Sequence, residues 1–144
     1  MYLAQRSNST VGIIMSDIDD FKRVNDKYGH QKGDEVLRRV AQILRQSIRT
    51  SDIIGRYGGE EFIIYLPSVQ PKHAVDVVEK LRKNIEDAAE TDPGVTISLG
   101  MSCGTLRNKL EEETTTLIAK ADACLYEAKK AGKNRAVLAD CDGS

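Results

Sequence analysis

An uninterrupted apolar run at residues 11–15 is followed directly by a cluster of acidic residues, and few local structures accommodate both. The run reads Val-Gly-Ile-Ile-Met, and Ser16-Asp17-Ile18-Asp19-Asp20 comes directly after it. A short run of this kind, bounded by polar residues, predicts a buried strand. Such a strand delivers acidic side chains to one edge of a sheet, where open sheets commonly face a ligand. Asp17 and Asp19 would point to the same side if the strand continued through them.

Helical and strand patterns alternate along the rest of the chain. Three segments with apolar residues at three- and four-residue steps predict helices: 34–48, 72–89 and 114–131. Four short apolar segments predict strands, of which the first two form a hairpin turning at Gly58-Gly59: 53–57, 61–66, 95–101 and 135–138. Residues 25–32, polar and interrupted by glycine, predict a loop or a short helix.

These elements predict one domain with an α+β fold. The chain has 144 residues, about the length of one domain. The order β-α-β-β-α-β-α-(β) matches, over its first six elements, the split βαββαβ plan of ferredoxin-like folds. We expect an antiparallel-rich central sheet with the helices on one face.

Composition excludes several classes of protein. Lys and Arg total 21 against 22 Asp and Glu, a net charge of −1, which gives no electrostatic case for binding nucleic acid or a membrane surface. No segment approaches the ~20 apolar residues that insert into a bilayer. The three cysteines, with no Cys-x-x-Cys pair, predict neither a disulfide framework nor a thiolate zinc site. We therefore expect a cytoplasmic protein in which Cys124 is a small core residue.

Two acidic segments predict a divalent-metal site. If the hairpin lies beside the first strand, Asp17 at the end of that strand can approach Glu60 at the hairpin tip. Two carboxylates near one point suit Mg²⁺, which shares its oxygen ligands with substrate phosphates. Gly58-Gly59 lets a phosphate or ribose approach the backbone, and Lys22 can supply a charge to a phosphate. The alternative for each feature alone is a solvated acid and an ordinary turn.

The segment between these acids carries groups that can read a purine base. The Asp34 carboxylate can accept from the ring N–H and amine of guanine, and the Asn25 amide can bond its acceptor edge. The plainer interpretation of Asp34 is a helix N-cap. Lys129 and Lys133, near the end of the third helix, favour the helix dipole in the plain interpretation and the end of a triphosphate in the functional one.

The ordered motifs of this chain resemble the GGDEF domain family, the diguanylate cyclases, in its GGEEF variant. The resemblance covers nearly the whole chain and rests on these segments: Asp17-Ile18-Asp19-Asp20-Phe21-Lys22, Asn25-Asp26, Gly29-His30, Gly33-Asp34, Arg56-Tyr57-Gly58-Gly59-Glu60-Glu61-Phe62, Val95–Gly100, Ala121-Asp122, Leu125–Lys129 and Gly132–Arg135. It implies a palm-like fold of the nucleotide-cyclase type. It also implies a bacterial signalling enzyme, a nucleotidyltransferase that condenses two GTP into the second messenger cyclic di-GMP with release of two pyrophosphates.

The resemblance assigns roles residue by residue. Asp17, the Ile18 carbonyl and Glu60 would hold Mg²⁺ or Mn²⁺. Seven residues would bind GTP besides Gly59, which would lie against the ribose and α-phosphate: Phe21, Lys22, Asn25, Asp34, Gly58, Lys129 and Lys133. Glu61 would support the site, and Glu60 or Glu61 would take the proton of the attacking hydroxyl. Because one domain holds one GTP, turnover would require a homodimer of C₂ symmetry.

The resemblance also implies a second site, for cyclic di-GMP as inhibitor. Arg49 and Asp52 match the family's Arg-x-x-Asp motif, and Lys80 stands where the family has a further arginine. The plain interpretation of this pair is a helix-end arginine and a turn aspartate. The family's usual opening segment is missing here, so we expect residues 1–144 to be one domain of a longer protein with an upstream sensor or receiver. The alternative function is a weakly active module that binds GTP or cyclic di-GMP.

Overall fold

A computed structural model describes residues 10–88, 93–107 and 109–141. Within these ranges it contains five strands: β1 (Thr10–Ile18), β2 (Ile53–Gly58), β3 (Glu61–Leu66), β4 (Ile97–Thr105) and β5 (Ala136–Ala139). It also contains four α-helices: α1 (Phe21–Tyr28), α2 (His30–Ser47), α3 (Ala74–Asp87) and α4 (Leu110–Lys130). A 3₁₀ turn at Pro71–His73 precedes α3. Of the described helices, none has both the length and the apolar character that crossing a bilayer requires.

The strands form one mixed sheet in the order β2-β3-β1-β4-β5. Strand β1 is central and pairs antiparallel with β3 and β4, while β5 pairs parallel with β4. The predicted α+β fold with an antiparallel-rich sheet is therefore confirmed. The register sets Asp17 of β1 between Glu61 of β3 and Ser98 of β4, so the acidic end of β1 lies beside the hairpin turn.

Helices cover both faces of the sheet, which corrects the expectation of helices on one face. Ile14 and Ile18 of β1 pack with α1, α2 and α3 in the larger core. The alternate residues Ile13 and Met15 pack with Leu117 and other residues of α4 in a second core. Because side chains alternate along a strand, a strand that is apolar at every position needs a cover on each side. Helix α4 supplies the second cover.

The predicted elements are present with different bounds. Residues 21–28 form α1, and α2 begins directly after it at His30 rather than at 34. Asp34 is therefore inside α2, and its interpretation as the helix N-cap is wrong. Strands β1 and β4 are longer than predicted because their pairing with each other continues to Thr105 of β4 and to Ile18 of β1. Helix α4 takes in the charged residues before Thr114, and position 89 of the second predicted helix, 72–89, lies outside the described residues.

The sequence-based exclusion of a disulfide is wrong. Cys103 of β4 is bonded to Cys141, with their Cα atoms 5.2 Å apart. The parallel pairing of β5 with β4 sets Ser102 opposite Ala139, which brings the residues after both together. A count of cysteines could not show this contact, because 38 residues separate the partners. Cys124 is free and buried in α4, as expected for a small core residue.

Candidate active site

The end of β1 and the turn between β2 and β3 meet at one place. Asp17 is 5% exposed and lies opposite Glu61 in the β1–β3 register. The next residue, Ile18, donates its main-chain N–H to the Glu60 carbonyl at 3.3 Å. The pairing of β1 with β3 thus holds the Gly-Gly-Glu-Glu turn beside the acidic end of the central strand, as the sequence predicts.

The Asp17 carboxylate is poorly neutralised where it lies. Its Oδ2 contacts the Lys129 ammonium at 2.7 Å, but its Oδ1 is buried with no hydrogen-bond partner among the described residues. The pKa of Asp17 is raised from 3.8 to about 6, chiefly by burial and also by the Glu60 and Glu61 carboxylates, against the opposing effect of Lys129. A buried carboxylate oxygen without a donor, in the field of two more carboxylates, is a place where a cation would be stabilised.

The donor set at this place fits Mg²⁺ or Mn²⁺. Asp17 and Glu60 supply carboxylates, and the Ile18 carbonyl is a hard oxygen ligand of the kind these ions take. Among residues 10–88, 93–107 and 109–141, no group of three or more His, Cys, Asp and Glu side chains is gathered to hold a metal unaided. Such a set suits an ion that completes its shell with substrate phosphates and water.

The turn of the hairpin is open on its outer side. Gly59 has a φ of 47°, and no described atom lies within 4 Å of where a Cβ would stand on Gly58 or Gly59. A side chain at Gly59 would be strained and would fill this space. The Arg56 guanidinium holds the turn by donating from Nε to the Gly59 carbonyl at 2.9 Å. A substrate can therefore approach the main chain next to Glu60.

Glu61 lies in acidic surroundings on the inner side of the turn. Partial burial raises the pKa of Glu61, and the charge of Asp122 on α4 raises it further, while Lys129 opposes both. A carboxylate with a raised pKa is a better proton acceptor than an ordinary one. No role for Asp122 was predicted, because only the packing of α4 against the sheet brings it near Glu61.

Each of the three lysines expected at phosphates is paired with a different aspartate. Lys129 contacts Asp17 directly. Lys133 contacts Asp20 at 2.6 Å, and this pair lowers the pKa of Asp20 and raises that of Lys133. Lys22, whose side chain is 91% exposed, contacts Asp26 at 3.3 Å on the surface of α1. Phe21 begins α1 directly after Asp20, whose φ of 56° makes the sharp turn out of the strand.

The two residues expected to read the base, Asn25 and Asp34, lie on the consecutive helices α1 and α2. Gly33 makes room for Asn25, because a Cβ on Gly33 would overlap the Asn25 side chain. Asp34 follows on α2 and lines a cavity of about 350 Å³ with Leu37, Arg38 and Arg56. Asp34 is exposed to this cavity, whereas the Asn25 side chain lies against Gly33, the residue before Asp34.

The three residues expected at the inhibitory site share a separate cavity. Arg49, Asp52 and Lys80 line a space of about 340 Å³ near the C-terminal end of α2. The Arg49 guanidinium donates to both Asp52 oxygens, at 3.2 Å from Nε and 3.0 Å from Nη2. This pairing raises the pKa of Arg49 and fixes the direction of its guanidinium.

Comparison with known proteins identifies the family. Residues 1–135 match the family described as diguanylate cyclase, GGDEF domain. The chain belongs to the GGDEF domain family. It is 40% identical over 130 residues to diguanylate cyclase A of Treponema denticola, covering 90% of this chain and 35% of that protein. The chain spans only between 21% and 35% of the length of three curated relatives that it matches.

Two solved structures have the same fold as this GGDEF domain. The active GGEEF domain of a diguanylate cyclase from Vibrio cholerae is 33% identical, with a TM-score of 0.82 over 94% of this chain and 86% of that one. The GGDEF domain of DgcB from Caulobacter crescentus, in complex with c-di-GMP, is 30% identical, with a TM-score of 0.81 over 94% of this chain and 81% of that one.

One group of residues in the GGDEF domain escaped sequence reasoning. Asp19 accepts hydrogen bonds from Thr96, Ser98 and the main chain of Asn134, which lie in two parts of the sequence distant from Asp19. β1 ends at Ile18, so Asp19 does not share the surroundings of Asp17. Asp19 and Asn134 both lie inside motif segments of the sequence. That location was the one signal that could have drawn attention to them, although the motifs suggested no role for either residue.

Proposed function

We propose that this GGDEF domain is a diguanylate cyclase, which joins two GTP molecules into cyclic di-GMP and releases two pyrophosphates. The observation that carries the proposal is the buried Asp17 oxygen without a donor beside the turn that bears Glu60. A carboxylate buried at such a cost to stability is typical of a site that works with a charged ligand. The names of the relatives in Treponema and Vibrio support the same activity.

The residues at the end of β1 would hold the metal. Asp17, the Ile18 carbonyl and Glu60 are its ligands in this proposal, with Mg²⁺ or Mn²⁺ as the ion. When bound, the ion supplies charge stabilisation to the leaving pyrophosphate and acidifies the attacking hydroxyl. Lys129 then loses Asp17 as its main partner and becomes available to a phosphate. Lys133, now paired with Asp20, and the exposed Lys22 supply further positive charge.

The reaction itself needs two chains. The 3′-hydroxyl of one GTP attacks the α-phosphorus of the other, a P–O bond forms, and the bond to pyrophosphate breaks in line. Glu61, whose raised pKa suits a proton acceptor, or Glu60 takes the hydroxyl proton. Repetition with the two roles exchanged closes the ring. A C₂ homodimer in which two hairpin turns face each other provides this geometry, and we place the reaction in the cytoplasm, where GTP is available.

The Asp34 carboxylate sets the base preference in this proposal. We expect Asp34→Ser to lower the preference for GTP over ATP by about 100-fold, because the donors of the guanine edge lose their charged acceptor. Competition between the two nucleotides, followed through the masses of the cyclic products, measures this preference. Glu35→Gln, on the next position of α2, is the matched control. An unchanged preference in Asp34→Ser would remove Asp34 from base recognition.

The cavity of Arg49, Asp52 and Lys80 is the proposed site for the product as inhibitor. We expect Arg49→Ala to raise the concentration of cyclic di-GMP that halves the rate by at least about 10-fold, since a forked charged contact is lost. Arg45→Ala, at an exposed arginine in the last turn of α2, serves as the comparison. If the half-inhibitory concentration of Arg49→Ala stays within twofold of the unaltered chain, the second site is wrong.

The proposed activity is tested by incubating the chain with GTP and Mg²⁺ over a range of protein concentrations. We expect a product with the mass of cyclic di-GMP, and a rate that rises with the square of protein concentration while dimers are scarce. A chain that binds GTP and forms no cyclic product at any concentration would instead be a binding module. A linear or cyclic product from a single chain, first order in protein, would overturn the two-chain mechanism.

A further inference from the structure

We propose that Asp19 is a positioning residue that fixes the turn at Lys133-Asn134 and so places the Lys133 ammonium at the phosphate end of the nucleotide site. The inference rests on the proposed function, since it names how the site holds a polyphosphate. Asp19 acts through Lys133 and does not itself contact the ligand. It is separate in role from Asp17, although only Ile18 stands between them.

The Asp19 carboxylate is fully engaged with the protein. It is 4% exposed. Its Oδ1 accepts from the Ser98 hydroxyl at 2.6 Å, and its Oδ2 accepts from the Thr96 hydroxyl at 2.7 Å and from the Asn134 main-chain N–H at 2.9 Å. Its own N–H donates to the Thr96 carbonyl at 3.0 Å. Both oxygens of the Asp19 carboxylate are thus hydrogen-bonded to the protein, by three donors in all. Asp17 differs, because one of its oxygens has no donor among the described residues.

The turn that Asp19 holds has an unfavourable backbone. Lys133 and Asn134 follow each other with φ angles of 65° and 48°, a conformation that residues with side chains adopt at a cost. The Asn134 side chain accepts from Arg82 at 3.1 Å and donates to Glu86 at 2.7 Å, both on α3. The turn is therefore held from β1 through Asp19 and from α3 through Asn134. Two consecutive left-handed residues persist only where contacts of this kind impose them.

This turn determines the position of the Lys133 ammonium group. Lys133 Nζ lies 2.6 Å from Asp20, at the start of α1, and its side chain is 43% exposed. Asp19 and Asp20 are adjacent, so one short segment fixes the main chain after Lys133 and also contacts its ammonium. A lysine held in this way keeps its charge near the first turn of α1, where the N-terminal end of a helix also favours anions. Pyrophosphate or the β- and γ-phosphates of a nucleotide are the ligand class that this charge suits.

A double-mutant cycle tests the inference. The probes are 3′-deoxyGTP, which lacks the attacking hydroxyl, inorganic tripolyphosphate and guanosine, each titrated with Mg²⁺ into the chain by calorimetry. We expect Asp19→Asn to weaken 3′-deoxyGTP and tripolyphosphate by about 10-fold, to leave guanosine within twofold, and to have less than a twofold effect when Lys133→Ala is already present. Asp140→Asn, an exposed acid with a φ of 60° that pairs with Lys120, is the control and should change no affinity by more than twofold.

Other results overturn the inference. The first is that Asp19→Asn weakens guanosine binding as much as it weakens polyphosphate binding. The second is that Asp19→Asn weakens polyphosphate binding equally with and without the Lys133 side chain. The third is that Asp19→Asn leaves the affinity for both polyphosphates unchanged. If Asp19→Asn does not fold, Thr96→Val removes one donor to the carboxylate and should weaken only the two polyphosphates, by about threefold, and only while Lys133 is present. Failure of the proposed function is distinguishable: a chain that makes no cyclic di-GMP and yet shows the Asp19–Lys133 coupling on tripolyphosphate retains the inference. A chain that binds neither polyphosphate contradicts both.

Discussion

Replacing Glu60 by glutamine is expected to slow the formation of cyclic di-GMP by at least about 100-fold. Loss of a residue that merely hydrogen-bonds to a metal ligand costs about 10- to 100-fold, and loss of a direct ligand should cost more. Glutamine has the size of glutamate and cannot bring a negative charge to the ion. The Glu60 main-chain carbonyl, which accepts from Ile18, is kept in this variant, so the pairing of β1 with the turn is preserved. The loss should therefore fall on turnover and leave the fold intact.

The matched control for Glu60→Gln is Glu111→Gln, an exposed position in the first turn of α4. We expect this control to turn over at the rate of the unaltered chain. Thermal unfolding of both variants, followed by circular dichroism, separates loss of activity from loss of structure. A Glu60→Gln chain that is folded and makes cyclic di-GMP within about threefold of the normal rate would rule out the assignment of Glu60 to the metal.

Replacing Asp17 by asparagine is expected to abolish metal-dependent turnover and at the same time to stabilise the metal-free fold, by about 1–3 kcal/mol at pH 8. The gain arises because Asp17 is buried, one oxygen lacks a donor, and Glu60 and Glu61 repel its charge. Asparagine removes that charge and keeps the volume. A gain in stability with a loss of activity is the signature of a residue retained for its ligand.

The gain from Asp17→Asn should depend on pH with a definite sign. The pKa of Asp17 rises from 3.8 to about 6 in the fold, so the folded chain disfavours the ionised form. Stability is unaffected by this group below about pH 4, falls as pH rises from about 4 to 6, and is level above that range. The difference in free energy of unfolding between Asp17→Asn and the unaltered chain should therefore be small at pH 4 and full at pH 8, measured by urea unfolding with EDTA present. The exposed Asp26→Asn is the control, and a destabilised Asp17→Asn at pH 8 would contradict the account.

Much of the fold follows from periodicity and from the order of the elements. The apolar run at 11–15 predicted a buried strand, and the structure makes it the centre of the sheet, with helices on both faces rather than on the one expected. Its bounds were less predictable, because β1 extends to Ile18 through pairing with β3 and β4 that no local pattern carries. The start of α2 at His30 was missed for a similar reason, since polar residues 30–33 gave no apolar stripe to follow.

The proximity of Asp17 to the hairpin turn was predictable from motif and register, whereas partners from distant segments were not. The sequence predicted that the end of β1 and the Gly-Gly-Glu-Glu turn meet, and the Ile18–Glu60 bond confirms it. It did not predict that Lys129 would form an ion pair with Asp17, nor that Cys103 and Cys141 would be bonded. Both contacts depend on how α4 and β5 pack against β4, which requires the tertiary fold. Asp19 was missed on the same ground, because its partners are 77 to 115 residues away.

The central claim, that Asp17 and Glu60 share one divalent ion with a nucleotide, is tested most directly by a crystal structure of the chain with 3′-deoxyGTP and Mn²⁺, the metal being located by its anomalous signal. The account predicts a peak bonded to a carboxylate oxygen of Asp17, one of Glu60 and a phosphate oxygen, at roughly 2.1 Å from each. A peak on the phosphates alone, or at any site that leaves Asp17 with Lys129 as its counter-ion, would contradict it.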